Sequence, residues 1–298
     1  MEDINLRKSI SAILCAFVLL GVSSASFAEW VGNASVSMRH DSNVSNAEMV
    51  SDITGVTSLS VDVSATNFFA LEEGKSLSIT GTLGSETFDR YSGLNNVSVG
   101  AIFSARKKWS LGIYAPWTGV SLSTSRLDFA NNIRNMWRHQ LALRGGKRIA
   151  ERWSIGGGLM AEQRDARPLA PDIPELSGDV FSQSSRTLTF NSEYIWSDRA
   201  FVTLGALLRH GDITATATES PKIIAASTAA ADDPVLSSGP HSYAYRLRGT
   251  TQGLNVDMTF TLSNHSALNV SIARYLSYAK GDIYYARNIQ SLFWNHDF

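Results

Sequence analysis

Residues 57–69 read TSLSVDVSATNFF, and this stretch decides the fold. Apolar side chains such as Leu59 and Val61 stand at its odd positions, and polar ones such as Ser60 and Asp62 stand at its even positions. Since successive side chains of a strand point to opposite faces, a period of two gives a strand with one apolar and one polar face. The stretch therefore predicts a β-strand that borders two different environments.

The same alternation returns on both sides of this stretch, for example over residues 30–41, 77–86 and 97–105. The apolar positions are uncharged, whereas the polar positions include charged residues. These are Arg39, Asp62, Glu86, Arg106, Arg138, Arg144, Glu162, Glu193 and Asp257. A soluble sandwich would expose such charges to outside water, but a barrel in lipid turns them into its lumen. We predict that these charges line a lumen.

The connections between the alternating segments differ in length. Short ones are expected at residues 71–76, 106–108, 149–152, 197–200 and 262–266, and longer polar ones at 41–54, 87–96, 127–134, 165–184, 211–241 and 277–282. Outer-membrane barrels show this asymmetry, with short periplasmic turns and long external loops. The pattern predicts an all-β fold, a single antiparallel transmembrane β-barrel of about 12 strands, with 10 or 14 as alternatives.

The barrel should be closed, because no water is available in hydrocarbon to satisfy the backbone groups of an open sheet edge. The first strand, near 30–41, must then pair with the last, near 283–298. The long segment 211–241 is rich in Ala, Ser and Thr, and it could fold inward or stay outside.

The first 28 residues predict a cleaved signal peptide. Arg7 and Lys8 precede an apolar run over 10–22, and Ser26 and Ala28 stand at positions −3 and −1 of a cut before residue 29. The run is shorter than the roughly 20 residues that a spanning helix needs. The domains are therefore a signal peptide over 1–28 and a barrel over 29–298.

The composition excludes several classes of protein. The formal net charge is −1, so no basic excess attracts nucleic acid. The only cysteine is Cys15, inside the predicted signal peptide, so a disulfide framework is excluded. Beyond residue 28, no stretch is apolar for the roughly 18 residues that indicate a membrane-spanning helix.

Large aromatic residues stand at strand ends beside a short turn or a terminus. They are Trp30, Phe69, Trp109, Trp153, Trp196, Phe260 and Trp294. Such rings prefer the boundary between lipid and headgroup, so we predict one aromatic girdle.

The C-terminus carries a family resemblance. Leu292, Trp294 and Phe298 occupy alternate positions, and the sequence ends at Phe298, although His296 stands where an apolar residue is commoner. This pattern is similar to the signal by which the barrel-assembly machinery recognises outer-membrane barrels. The resemblance implies a Gram-negative outer-membrane location. Its expected partners are periplasmic chaperones, the assembly machinery, outer-membrane lipid and lipopolysaccharide.

Residues 40–43, His-Asp-Ser-Asn, raise a catalytic alternative. They resemble the motif of outer-membrane lipid A deacylases and phospholipases, in which a His and a Ser act at the lipid-facing surface. A serine needs an adjacent base to become a nucleophile, which His40 would supply to Ser42. The other interpretation is a turn out of the bilayer, since Asp, Ser and Asn favour turns. Residues 41–44 also resemble the opening strand of surface lipoprotein assembly modifier barrels.

A second constellation lies near the long segment. His210 and Asp212 stand two apart, and Asp232 and Asp233 follow in the next loop. Omptin proteases of the outer membrane use an Asp/His pair with an Asp pair, but here the order is reversed and the Asp pair is not spaced. We expect a solvated loop, and two carboxylates are too few to predict a calcium site.

Glycine runs at 145–146 and 156–158 lack the spacing of phosphate loops and are expected to permit bends. The leading hypothesis is a non-enzymatic, narrow passive channel for small polar or ionic solutes. The lumen charges would then set ion selectivity, or they could instead hold the interior together. The alternatives are the lipid hydrolase of His40 and Ser42, and an adhesion or scaffold barrel acting through its loops. No cofactor or metal is predicted.

Overall fold

The computed structural model describes residues 30–71, 74–237 and 241–298. The predicted signal peptide lies outside these residues. Thirteen strands, one short α-helix, α1 (Pro221–Ala226), and two single-turn 3₁₀ helices (Ser92–Leu94 and Asn132–Arg134) make up the regular structure described. The strands are β1 (Trp30–Asp41), β2 (Val56–Ala70), β3 (Lys75–Phe88), β4 (Asn96–Lys108), β5 (Trp117–Phe129), β6 (Met136–Ala150), β7 (Trp153–Ala166), β8 (Gln183–Ser197), β9 (Ala200–Thr218), β10 (Ser227–Asp232), β11 (Ser242–Ser263), β12 (Ser266–Ala279) and β13 (Ile283–Asp297).

Twelve of these strands form one closed ring. Strands β1 to β9 follow each other around it, β9 pairs with β11, and β12 and β13 lead back to β1. All pairs are antiparallel, and Val36 of β1 faces Trp294 of β13 where the ring closes. β10 stands outside the ring order and pairs with the upper part of β11. The predicted all-β barrel of about 12 strands is confirmed.

The two ends of the ring differ. One end holds the start of β1, the end of β13 and most of the short connections, and we call it the turn end. The opposite end is the loop end. The turn-end connections are residues 71–74, 109–116, 151–152, 198–199 and 264–265, and the loop-end connections are 42–55, 89–95, 130–135, 167–182, 219–241 and 280–282.

Two predicted connections are wrong. The turn expected at 106–108 lies at 109–116, because residues 106–108 are the last of β4, where Arg106 and Lys108 face the lumen. The long loop expected at 277–282 is a three-residue turn between β12 and β13. Gly281 and Asp282 adopt left-handed backbone angles there, with φ of 79° and 56°, which lets the chain reverse tightly.

The ring places apolar side chains outside and polar ones inside. Leu122 of β5 is 54% exposed on the outer face, beside Phe103 and Leu141 of the neighbouring strands. On the inner face, Ser37 and Ser60 are joined by a hydrogen bond of 2.7 Å between their hydroxyls. Exposed apolar side chains over a hydrogen-bonded polar interior are what a lipid environment requires. Nearer the loop end the outer face also carries charge, as at the exposed Arg186.

The predicted girdle residues lie at turn-end strand ends or in the adjacent turns. Trp30, Trp153 and Trp196 are 57%, 47% and 66% exposed. Trp153 donates its indole N–H to Ser192 at 2.6 Å, and Trp109, in the 109–116 turn, donates to Thr118 at 3.0 Å. Rings that expose an apolar face while their N–H is bonded suit a lipid–water boundary. No helix among the described residues has the length and the apolar character needed to cross a membrane.

Strands β9 and β11 extend beyond the ring at the loop end. β8 accompanies β9 only as far as Gly211, which pairs with Ser185. Gly211 has φ of 153°, and a Cβ there would lie 2.2 Å from the carbonyl oxygen of Ser184, so only glycine fits. Above it, β9 and β11 continue as a pair that β10 joins as a third strand. We call residues 212–237 and 241–248 the plug.

Candidate functional site

The plug fills the loop end between opposite parts of the ring. One of its faces packs on the top of β13, and this apolar cluster consists of Ile213, Ala215, Ala217, Ile223, Ala226, Ala230, Tyr245, Leu247, Ile283 and Tyr285. The other face packs on the loop between β7 and β8, through Val180, Phe181, Ala229, Ala231 and Ala244. Tyr245 and Leu247 are fully buried. The segment predicted to fold inward or stay outside therefore packs across the loop end, against β13 and the loop between β7 and β8.

A buried carboxylate ties the plug to the loop between β5 and β6. Asp233 is 0% exposed and accepts hydrogen bonds from Arg134 Nη2 at 2.5 Å and from the Thr216 hydroxyl at 2.6 Å. The Arg134 guanidinium also lies 4.5 Å from the ring centre of Phe181. We call Asp233, Arg134 and Thr216 the latch. The solvated loop expected for Asp233 is wrong, because folding brings Arg134 and Thr216 onto its carboxylate.

The free edge of upper β9 bonds to the loop between β1 and β2. The Thr216 N–H donates to the carbonyl of Ser45 at 2.8 Å, and the Asn46 side chain donates to the carbonyl of Thr214 at 2.9 Å. Thr218 donates its N–H and its hydroxyl to Asp52 at 2.7 and 2.9 Å. Backbone groups that β8 no longer pairs are satisfied by this loop, which fixes the plug from a second side.

A chamber of about 640 Å³ lies beneath the plug. Its charged lining residues are Arg39, Glu86, Arg134, Glu162, Arg164, Arg209, Asp212 and Arg287. Many of these charges are engaged with each other. Arg164 pairs with Glu162 at 2.8 Å, Arg287 pairs with the buried Asp41, and Arg209 donates to the carbonyl of Asp212 at 2.7 Å. The loop-end chamber is therefore a largely self-neutralised space.

A wider cavity of about 1140 Å³ occupies the turn end, and we call it the vestibule. Its charged lining residues are Lys75, Arg106, Lys108, Arg144, Lys147, Arg148 and Glu193. Bases outnumber acids strongly here, although the formal net charge of the chain is only −1. The charge is separated along the barrel axis instead of spread evenly.

The structure distributes the nine predicted lumen charges along this axis. Arg39, Glu86 and Glu162 line the loop-end chamber. Arg106, Arg144 and Glu193 line the vestibule. The other three contact lumen-facing residues, since Asp62 lies against Gly84, Arg138 donates to Ser125 at 3.3 Å, and Asp257 accepts from Asn255.

Of the residues of the hydrolase hypothesis, His40 lies on β1 and Ser42 directly follows this strand, but the two have different partners. The His40 ring bonds to the Thr57 hydroxyl at 3.2 Å, and the Ser42 hydroxyl accepts from the backbone N–H of Asn288 at 2.9 Å. Within the described part of the chain, no hydrogen bond joins His40 to Ser42. The buried Asn43 side chain donates to the carbonyl of Ala47 at 2.9 Å, as the turn interpretation expects.

The second constellation is also divided. His210 bonds to the Thr250 hydroxyl at 3.0 Å on the outer face, and Asp212 accepts from the Ser184 N–H at 2.8 Å. Asp233 belongs to the latch, where Arg134 and Thr216 bind its carboxylate. Across residues 30–71, 74–237 and 241–298, no cluster of three or more His, Cys, Asp or Glu side chains is suited to a metal ion.

Sequence reasoning missed the latch and the unbalanced vestibule. Arg134 and Asp233 lie 99 positions apart, and no periodicity connects them. For the vestibule, the sequence contains one usable signal, which is the pair of glycine runs at 145–146 and 156–158. In the structure they lie opposite each other, with Gly145 facing Gly157 and Gly146 facing Gly156, so the wall is thin where β6 meets β7.

Comparisons with known proteins find similarity at the level of the fold. No protein-family model matches the chain, and no curated protein matches it. An outer-membrane channel from Pseudomonas putida F1 is similar in structure, with a TM-score of 0.56 and 14% identity, covering 93% of this chain and 100% of that one. The KdgM porin aligns with a TM-score of 0.37 and 11% identity over 89% of this chain and 99% of its own. The β domain of the Bordetella autotransporter BrkA gives 0.44 and 12% over 90% and 98%. The similarity to the Pseudomonas putida F1 channel shows that the chain has the fold of the outer-membrane β-barrel proteins.

Proposed function

We propose that this protein is a narrow outer-membrane channel for small polar or ionic solutes, and that its plug closes the loop end in the state described. The observation that carries the proposal is the lumen. Inside a closed ring of 12 strands lie two polar, charge-lined cavities of about 640 and 1140 Å³. A barrel of this size is wider than one that its own side chains fill.

The membrane gives the two ends their roles. Outer-membrane barrels place short turns in the periplasm and long loops outside, which puts the vestibule on the periplasmic side and the plug on the outer side. The similar protein from Pseudomonas putida F1 is an outer-membrane channel, which supports a channel function for this fold. Solutes would cross the lumen only after the plug moves away from the mouth.

The contacts of the plug favour a movable closure. Its apolar faces consist largely of alanine, with Ala215, Ala229 and Ala230 among the buried residues, so most of these side chains bury little area, and Tyr245 and Leu247 bury more. Directional polar bonds to the loops at 42–55 and 130–135 add specificity to this packing. A few such bonds are enough to bias an equilibrium between two arrangements of the mouth.

Conductance tests the proposal. The barrel of residues 29–298 is refolded in detergent and reconstituted in planar bilayers, beside a variant in which residues 219–241 are replaced by a short Gly-Ser linker. We expect rare, small openings for the complete barrel and steady ion conductance for the variant. A matched control replaces residues 110–115, in a connection at the opposite end of the barrel, by the same linker and should behave like the complete barrel.

The proposal fails if the plug variant is folded but carries no current. Folding is checked independently by its heat-modifiable migration on gels and by its β circular dichroism spectrum. Equal conductance of the plug variant and the 110–115 control would also contradict the assignment of the closure to the plug.

A further inference from the structure

We infer that the vestibule is a binding site for small polyanions, solutes that carry two or more carboxylate or phosphate groups. This inference rests on the proposed function, because it names the class of solute that the channel takes. It is carried by four basic residues whose side chains line one cavity, in which Glu193 is the acidic lining residue among those described. The four are Arg106, Lys108, Arg144 and Arg148, whereas the Lys147 side chain alternates with them on β6 and points outward like Leu143.

Two of the arginines flank a gap in the wall. Arg106 of β4 faces Gly119 of β5, Gly119 faces Arg144 of β6, and Arg144 faces Gly158 of β7. Neighbouring strands lie about 4.8 Å apart, so the two arginines start about 10 Å from each other with a residue lacking a side chain between them. This spacing forms a recess that a solute with two separated anionic groups can bridge.

Packing orients one of these arginines. The Arg106 guanidinium lies 4.5 Å from the ring centre of Trp117. The indole rests on bare backbone, since a Cβ at Gly146 would lie 3.1 Å from its Nε1. A guanidinium that stacks on a ring keeps its edge N–H groups free for two parallel bonds to a carboxylate or a phosphate. Gly146 thus lets Trp117 lie flat, and Trp117 holds Arg106.

The charge of the recess is not cancelled by neighbours. Among the residues that the structure describes, none of these four bases forms an ion pair within 4.0 Å, whereas Arg164 and Arg287 of the loop-end chamber do. Like charges gathered in a cleft with low-dielectric walls raise the local concentration of the opposite ion. The cavity borders the turn-end residues Leu71 and Ala115, so a solute reaches it without movement of the plug.

Binding can be measured without transport. Citrate and inorganic pyrophosphate are titrated calorimetrically into the detergent-solubilised barrel of residues 29–298 at low salt, with mannitol as an uncharged probe. We expect saturable binding of both anions and none of mannitol. The double variant Arg106→Gln/Arg144→Gln should bind at least about tenfold more weakly, because two charge-assisted contacts are lost.

A matched control removes the same charge from the outer face. Arg126→Gln/Arg186→Gln should bind the anions like the unaltered barrel. Heat-modifiable migration shows that each variant is folded. Absence of saturable anion binding, or equal binding by the vestibule variant, overturns the inference. Anion binding in a barrel whose plug variant carries no current would refute the channel and support the anion site. Current through the plug variant without anion binding would support the channel and refute the anion site.

Discussion

The substitution Asp233→Asn tests the closure at its most buried point. Asparagine has nearly the same shape as aspartate, so the packing of the plug around residue 233 is retained. The change removes the charge that Arg134 meets at 2.5 Å. The Arg134 side chain is 12% exposed, and its Nε has no hydrogen-bond partner among the described residues. The substitution thus leaves a cation enclosed without its counterion.

The size of the effect follows from burial. Removing one partner of a buried ion pair costs about 3–5 kcal/mol, because the remaining charge stays desolvated. This cost falls on the closed state alone, since both groups would be hydrated once the plug leaves the mouth. A factor of ten corresponds to about 1.4 kcal/mol, so the ratio of open to closed channels should rise at least about a hundredfold.

Two assays read this ratio. In planar bilayers, the open probability of Asp233→Asn should exceed that of the unaltered barrel. A single cysteine at position 231, fully buried in the plug, should react with a thiol reagent only when the plug moves. Cys15 is the only natural cysteine, so the barrel of residues 29–298 adds no background reaction.

The neighbouring substitution Asp232→Asn is the matched control. It removes the same charge one residue away, from an exposed side chain, and should leave open probability and thiol reactivity unchanged. Adding Arg134→Gln to Asp233→Asn should restore part of the closure, because no unpaired charge then remains. An Asp233→Asn barrel that is folded but opens no more than the Asp232→Asn control refutes the latch.

Three further substitutions test separate parts of the structure. Thr216→Val removes the hydroxyl donor to Asp233 and leaves the backbone bond to Ser45. In the same bilayer assay it should favour opening by about 1.5–3 kcal/mol, and an open probability equal to that of Asp232→Asn would contradict this. Leu122→Arg should destabilise the barrel in lipid by about 2–4 kcal/mol in urea titration, whereas Ser121→Arg on the lumen face should cost far less, and equal losses would contradict the assignment of faces. Tyr245→Phe removes a buried hydroxyl that has no hydrogen-bond partner among the described residues, so thermal unfolding should show no loss of stability, and a marked loss would reveal a partner for that hydroxyl.

The barrel itself could be predicted from the sequence because its determinant is local. Alternation with a period of two is visible within one strand, and it forces one face toward lipid and the other toward the lumen. The error at residues 106–108 has the same origin. A run of basic residues is typical of a turn, but here Arg106 and Lys108 are two more lumen positions of β4. Charge alone does not distinguish a strand end from a lumen-facing strand.

The closure could not be predicted because its determinants are distant in sequence. Asp233 and Arg134 lie 99 positions apart and meet only in the folded barrel. Thr216 reaches Ser45 because β9 extends beyond the end of its pairing with β8 at Gly211. The glycine at 211 was visible, but glycine in a strand also marks ordinary bends. The sequence therefore indicated a long loop without its inward path.

The two ends of the lumen should respond differently to salt, and this difference links the proposals. The vestibule cations line an open cavity, so their attraction for anions is screened as the Debye length falls from about 10 Å at 0.1 M to about 3 Å at 1 M. The carboxylate of the latch is closed off from water, with Asp233 at 0% exposure, and Arg134 is only 12% exposed, so salt screens this ion pair far less. Raising the salt should therefore weaken citrate binding strongly and leave the closed fraction nearly constant. A plug that opens in parallel with the loss of anion binding would show that both depend on the same solvent-exposed charges, against the burial of the latch.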